Sequence, residues 1–448
     1  MKSKKFLLLI ALVIVLQTVL AACSSNSGGS EGNKDKNANT GSGGGNVTEI
    51  TLWHMEEPPN RVKRFQEIAD AFNKANPDIK VTTQVQSWGD AYSKFPASIM
   101  SGTGPDLLFT IPDYTTLIKE LGVVQPVDDI IESLDSKHGF LDTALEPYKY
   151  DGQTWAVPIF GMVQVLWYRN DLLQAANVEP PKTWAELKTA AEKLTSGNKY
   201  GIALPGSKSM ATDQVLYSFL VSGGAKHVIN GNNEITFDNE KTVAAYQMYT
   251  DLMKFSPPDS NTYQWGEPQA LFNSGSVAMA IEKGQYLSTF EAESGRPASD
   301  LGVVPMPVGE GGEEGSIYYS NGIMVLTDDA AKKEAITKFF EFLFEPETYG
   351  SFVNAEPGLF LPVTEDGSKA ESFWNDPVIS KYKDQVEVLI KASSNGALFG
   401  FTDGVATKIG QIAGPNYMAQ TLENIIIAGK SVEDSVKWGQ AQMETAVK

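Results

Sequence analysis

Apolar positions change period several times along the chain, and each change predicts an element. Ile50 and Leu52 alternate with polar neighbours, so residues 48–53 predict a strand. Val62, Phe65, Ile68, Ala69 and Phe72 follow at helical spacing, and Asn76-Pro77 ends that helix. Ile79, Val81, Thr83 and Val85 alternate again as a strand. Residues 92–100 predict a helix, and Gly102-Thr103-Gly104-Pro105-Asp106 a turn. Residues 107–111 are apolar but for Thr110, as in a parallel strand buried on both faces. Strand, helix, strand, helix, strand is the order of a doubly wound α/β unit.

The pattern then shifts. Residues 163–168 predict a strand, and Arg169-Asn170-Asp171 a turn into a short helix. Thr183 and Glu186 have capping-box spacing, so a helix starts at Thr183. Val243, Tyr246, Tyr249, Leu252 and Met253 mark another helix, and 268–273 a shorter one. Residues 277–281 and 302–306 predict strands. Ile336, Phe339, Phe340 and Leu343 mark a helix stopped by Pro346, and 309–315 is a glycine-rich surface loop. No segment repeats at a fixed period.

The N-terminus differs from all of this. Lys2, Lys4 and Lys5 precede an apolar run from Phe6 to Val19 broken only by Gln17 and Thr18, and Leu20-Ala21-Ala22-Cys23 closes it. Charged region, apolar region and small residues at the end are the parts of an export leader. The run is shorter than the ~20 residues of a membrane span. Cys23 directly after the small residues resembles the lipobox of bacterial lipoproteins, which implies a leader of residues 1–22 and lipidation at Cys23. Residues 24–46 are Ser, Gly, Asn and charge, too polar to fold. As a flexible coil they span roughly 25 Å. The expectation is a lipidated linker, 23–46, tethering a body of about 400 residues to the outer face of the cytoplasmic membrane, and the long leash suggests a Gram-positive host.

Cys23 is the only cysteine, so the body has no disulfide and depends on its core. Some 42% of residues are hydrophobic, which is enough for a large core, and about 400 residues suit two lobes. The net charge of −19 becomes −22 when Lys2, Lys4 and Lys5 leave with the leader. That balance argues against nucleic acid as a partner and disfavours an anionic ligand.

Enzymatic motifs are absent. His54, His138 and His227 are not at helical metal-pair spacing. No Gly-x-Ser-x-Gly elbow lies in the body from residue 47 onward, the one match to that spacing, Gly28 to Gly32, falling in the polar linker, and there is no phosphate-binding Gly-x-x-x-x-Gly-Lys loop. No cofactor and no metal are expected. Ligands of open parallel sheets sit beyond the carboxyl ends of the strands. Those ends carry His54-Met55-Glu56-Glu57, Gln86-Ser87-Trp88 and Thr110-Ile111-Pro112-Asp113-Tyr114. Acids accept bonds from sugar hydroxyls, and aromatic faces cover the C–H face of a pyranose. No Arg or Lys cluster lies in these segments. Two acids across a cleft also serve a glycosidase, and the sequence by itself does not separate the two uses. Trp53 and Trp184 read as core, and Trp88 as either a loop anchor or a ligand face.

Six segments together resemble the family 1 extracellular solute-binding proteins, the carbohydrate receptors of ATP-driven importers. They are Ile50-Thr51-Leu52-Trp53-His54, the run from Phe72 to Val81 with Asn76-Pro77, the run from Gly102 to Phe109 with its Gly-Pro-Asp, the run from Leu166 to Leu172, the run from Pro181 to Leu187, and the run from Phe272 to Met279. The resemblance implies an α/β fold of two doubly wound lobes joined by a multi-strand hinge, periplasmic-binding-protein-like and of type II. The implied boundaries are 47–160 with 320–372 for one lobe and 161–319 with 373–448 for the other.

The same resemblance implies site residues. Glu56 and Glu57 fall where a maltose-binding member has an acid, and Asp113 matches a ligand-binding acid. Tyr114 replaces a basic residue, and Met162 stands in place of a glutamate. Tyr286 falls at a stacking tryptophan, and Tyr417 lies near a second one. Trp88, Trp265 and the Asn321-Gly322 pair complete the expected ligand-binding set. The implied function is a non-enzymatic, monomeric, lipid-anchored receptor. It takes a disaccharide or oligosaccharide, other than maltose or in another orientation, to the permease subunits of an ABC importer. Rival readings are a receptor for a polyamine or glycerol phosphodiester, or a secreted glycosidase.

Overall fold

The computed structural model describes residues 47–448; the leader, Cys23 and the polar linker lie outside the described residues. Twelve strands are assigned among them: β1 Thr48–His54, β2 Ile79–Val85, β3 Leu107–Thr110, β4 Lys149–Tyr150, β5 Gln153–Thr154, β6 Val157–Val163, β7 Val165–Arg169, β8 Tyr200–Ala203, β9 Val277–Glu282, β10 Leu301–Val304, β11 Ser316–Val325 and β12 Gly396–Ala397. Six helices matter to the site: α1 Pro59–Ala75, α2 Pro112–Lys119, α3 Trp184–Leu194, α4 Met210–Ser222, α5 Tyr286–Ser294 and α6 Tyr417–Ile426. No helix among the described residues is long and apolar enough to cross a membrane.

Two main sheets form. The first runs β12-β11-β3-β1-β2, with β6 also paired to β11. Strand β1 is parallel to both neighbours, with Ile50 opposite Val81 and Leu52 opposite Leu107. Parallel strands bring their carboxyl ends to one edge, which is where the sequence places its acids. Strand β11 is antiparallel to β3 and to β6, so this sheet is mixed. The second sheet runs β10-β7-β9-β8, with only β8 and β9 parallel.

The chain passes from the first sheet to the second at Gln164, between β6 and β7. A polar residue there is fully buried, and its Oε1 accepts from the Ser218 hydroxyl at 2.8 Å. It returns along β11, every residue of which is buried. A third stretch lies beside these two, where Gly161 and Leu361 exchange backbone hydrogen bonds of 2.8 and 2.9 Å. Gly161 has no room for a side chain, because a Cβ there would lie 2.0 Å from the Tyr318 hydroxyl.

Local chemistry explains the element ends. Helix α1 buries Phe65, Ile68, Ala69 and Phe72 against the first sheet, each such aromatic or aliphatic side chain contributing roughly 1.5–3 kcal/mol. Thr183 and Glu186 make both bonds of the capping box at the start of α3. The helix expected over 92–100 is instead two short helices, Trp88–Ala91 and Phe95–Met100. Pro96 has no amide proton to continue a helix and sits in the first turn of the second one. Pro346 behaves likewise: it follows a helix ending at Phe344 and opens the next, Pro346–Val353.

Candidate functional site

The carboxyl edge of β1, β2 and β3 holds the first half of the site. Pro59 and Arg61 open α1 just past Glu56, and the turn brings the Arg61 guanidinium back over it. Arg61 Nη1 donates to Glu56 Oε2 at 2.8 Å, with Glu56 only 5% exposed. Burial raises the Glu56 carboxyl, and Arg61 opposes that shift. Glu57, next in the chain, is exposed. Arg61 Nε also reaches Glu356 at 3.4 Å, and Asn60 Nδ2 donates to the same oxygen at 2.6 Å.

Asp113 stands in the first turn of α2, behind Pro112, and is 1% exposed. Its Oδ2 accepts from the Tyr92 hydroxyl at 2.8 Å, while Oδ1 is buried without a protein partner. Burial pushes this carboxyl up to about 6, the Tyr92 bond opposing. No cation lies within ion-pair distance of it among the described residues. Trp88 packs edge-on against Tyr114 and Phe109, with ring centroids 5.9 and 6.1 Å away. Tyr114 is wholly buried, its hydroxyl bonded to the Ala91 carbonyl at 3.1 Å.

The crossing strands supply the floor. Tyr319 on β11 pairs across from Met162 on β6, so register alone brings Met162 to the site. Burial and then the charges of Asp113 and Asp213 push the Tyr319 hydroxyl up. Asn321 is 4% exposed, its Nδ2 directed at the Tyr319 carbonyl at 3.4 Å. Gly322 is paired in the sheet and leaves no room for a side chain, since a Cβ would lie 2.9 Å from the Val157 carbonyl oxygen.

The second sheet contributes cations and amides. Lys283, one residue past β9, donates to Gln214 Oε1 at 2.8 Å and lies 5.4 Å from the ring centre of Trp265. Burial lowers its ammonium; the charges of Glu282 and Glu56 counter that, and Arg61 adds to it. The charges of the Glu56–Arg61 pair thus act on Lys283. Asp213, 2% exposed, caps α6 from another helix: Oδ1 accepts from the Ala419 amide at 2.6 Å and Oδ2 from Asn416 Nδ2 at 3.1 Å. That cap fixes Tyr417, half-buried at the first position of α6. Burial pushes Asp213 up to about 7.

Glu56, Trp88 and Asp113 thus lie at the carboxyl ends of β1, β2 and β3, and Met162 and Asn321 on the crossing strands β6 and β11, while Lys283 lies by Trp265 and Asp213 caps the helix that Tyr417 opens. Tyr114 and Tyr286 expose no ring surface; Tyr286 is enclosed by Trp167 and Phe272 with centroids 5.5 and 4.7 Å away. The stacking expected of these two is not open in this arrangement. Sequence reasoning missed Arg61, Tyr92, Gln214, Lys283, Tyr319 and Glu356. Two had a signal: Arg61 opens the helix after Glu56, and Lys283 follows a strand end. Cations do reach the site, though not from the three strand-end segments where none was found, and both are matched by acids or amides.

Residues 58–349 match the family model of the bacterial extracellular solute-binding proteins. The putative ABC transporter periplasmic-binding protein YcjN of Escherichia coli K12 is 28% identical over 446 residues, covering 97% of this chain and 98% of that one. The maltotriose-binding protein of Pyrococcus abyssi is 25% identical over 370 residues, covering 80% and 77%. The GacH receptor of Streptomyces glaucescens, solved unliganded and with acarbose, superposes with a TM-score of 0.74 over 89% of this chain and 98% of its own, at 22% identity. The fold is that of the two-lobed type II binding proteins.

Proposed function

This chain belongs to the bacterial extracellular solute-binding proteins, receptors that hold a solute for an ABC transporter without breaking bonds in it, and we propose that its solute is an uncharged, hydroxyl-rich carbohydrate, a disaccharide or oligosaccharide. The observation that carries this reading is the bare Oδ1 of Asp113. A buried acceptor left without a donor costs about 1–3 kcal/mol, and a ligand hydroxyl removes that cost. Arg61 is matched by Glu56 and Glu356, and Lys283 by Gln214 and Glu282, so neither of these two cations is free for a phosphate. Half-buried Trp88 and Tyr417 and the partly exposed Trp265 supply the aromatic surface that sugar rings use. The maltotriose-binding relative points the same way.

On this reading the first lobe comprises 47–160 and 320–372, the second 161–319 and 373–448, and the lobes close on the solute about the crossing at Gln164 and β11. Cys23 carries the lipid that keeps the monomeric receptor beside its permease. One specific observation favours a second reading: an ammonium would also satisfy Asp113 Oδ1, and the chain carries a net charge of −19, which suits a polyamine. Calorimetry with neutral oligosaccharides and with spermidine separates the two. Mass spectrometry of the membrane fraction tests the anchor, the lipid mass being expected on Cys23.

A further inference from the structure

Glu356 is 8% exposed and takes donors from both halves of the fold. From α1, beside the first sheet, come Asn60 Nδ2 at 2.6 Å and Arg61 Nε at 3.4 Å. From α5, beside the second sheet, comes the Ser288 hydroxyl, bonded to Oε1. The two backbones touch at the same place. A Cβ on Gly284 would lie 1.9 Å from the Gly358 carbonyl oxygen, and a Cβ on Gly358, whose φ is +83°, would lie 2.5 Å from Leu287 Cδ1. Only glycine allows this approach on either side. The contact joins the solute cleft at both ends: Arg61 also holds Glu56, and Gly284 directly follows Lys283.

We propose that Glu356 is a positioning residue for solute capture, and that its bond to Ser288 across the Gly284–Gly358 contact is the latch that holds the closed form. This rests on the receptor reading above. Glu356 accepts from Ser288 whenever the halves meet, in the solute-free chain as in the loaded one, and a solute drawing on Glu56 raises the closed fraction further through Arg61 and Glu356. The latch stabilises the closed form without touching the solute, so its loss lowers affinity while every solute contact stays in place.

The test uses the full-length protein and its Ser288→Ala and Ser288→Thr variants. Without solute, Ser288→Ala should speed backbone hydrogen exchange in 284–290 and in 354–361 together, by up to ~tenfold. The radius of gyration by small-angle scattering should rise, while the melting temperature stays within ~2 °C. Ser288→Thr, which keeps the hydroxyl, should restore wild-type exchange. Exchange that changes only in the turn around residue 288, or not at all, overturns the latch. Maltotriose added to the wild type should slow both segments. If no sugar slows them, the carbohydrate reading is in doubt, and the solute-free exchange still decides the latch.

Discussion

The Tyr92 hydroxyl donates to Oδ2 of Asp113 at 2.8 Å, and the other oxygen of that carboxylate is buried with no donor. One carboxylate thus has a fixed bond that orients it and an open acceptor. The orienting bond matters because a freely rotating carboxylate loses entropy when a ligand fixes it, whereas this one is already set.

Removing that acceptor should show directly in affinity. Asp113→Ala is expected to weaken solute binding by about 1–3 kcal/mol, read by calorimetry. Tyr92→Phe should weaken it less, because the acceptor remains and only its orientation is loosened. Equal affinity for Asp113→Ala and wild type would remove Asp113 from the site.

Burial raises Asp113 to about 6 and Asp213 to about 7, against an unfolded value near ~3.9. The folded state therefore binds more protons than the unfolded state above pH ~4. Their contribution is fully present below the unfolded value and is lost as pH rises through 6 and 7. Asp113→Asn and Asp213→Asn should each flatten that decline, by a few kcal/mol for the pair (order of magnitude). Urea denaturation between pH 4 and 8 measures it, and unchanged slopes would show that neither carboxyl titrates as its burial requires.

His54 has the opposite sign. It is wholly buried, stacked on Phe65 at 4.3 Å between centroids, and neither ring nitrogen makes a hydrogen bond of normal geometry. Burial lowers it to about 4 from a usual value of ~6.5. The unfolded state takes the proton first, so stability is present above ~6.5 and is lost as pH falls toward 4, by about 3 kcal/mol in all. His54→Phe keeps the stack and should remove this acid-side loss from the melting profile. A profile as steep as that of wild type would contradict the assignment.

Gly161 tests the crossing. Its missing side chain is what lets the Tyr318 ring lie across β6. Gly161→Ala should destabilise by about 1–3 kcal/mol through overpacking, and Gly161→Ala with Tyr318→Leu should recover part of that. Wild-type stability in the single variant would mean the crossing strands can part at little cost.

The first sheet was legible because its period is unambiguous. Alternation at Ile50 and Leu52, helical spacing at Phe65 and Phe72 and the apolar run before Thr110 each allow one element, and the strand-end rule then places Glu56, Trp88 and Asp113 on one edge. The break at Pro96 was a matter of local chemistry that the apolar pattern does not carry. Tyr319 and Gln214 were not legible, because register across β11 and the packing of α4 bring them in. Tyr286 shows a further limit: an aromatic after a strand end has the same pattern whether it faces a cleft or, as here, Trp167 and Phe272.

The central claim is that the cleft holds an uncharged, hydroxyl-rich solute. The most direct measurement is calorimetric titration of the wild type with neutral oligosaccharides, spermidine and a glycerol phosphodiester at one pH. The account predicts saturable binding of a neutral sugar at micromolar strength or better, about −8 kcal/mol, abolished or weakened in Asp113→Ala, with no heat from the phosphodiester. Tight binding of spermidine or of the phosphodiester, with no neutral sugar bound, would contradict it.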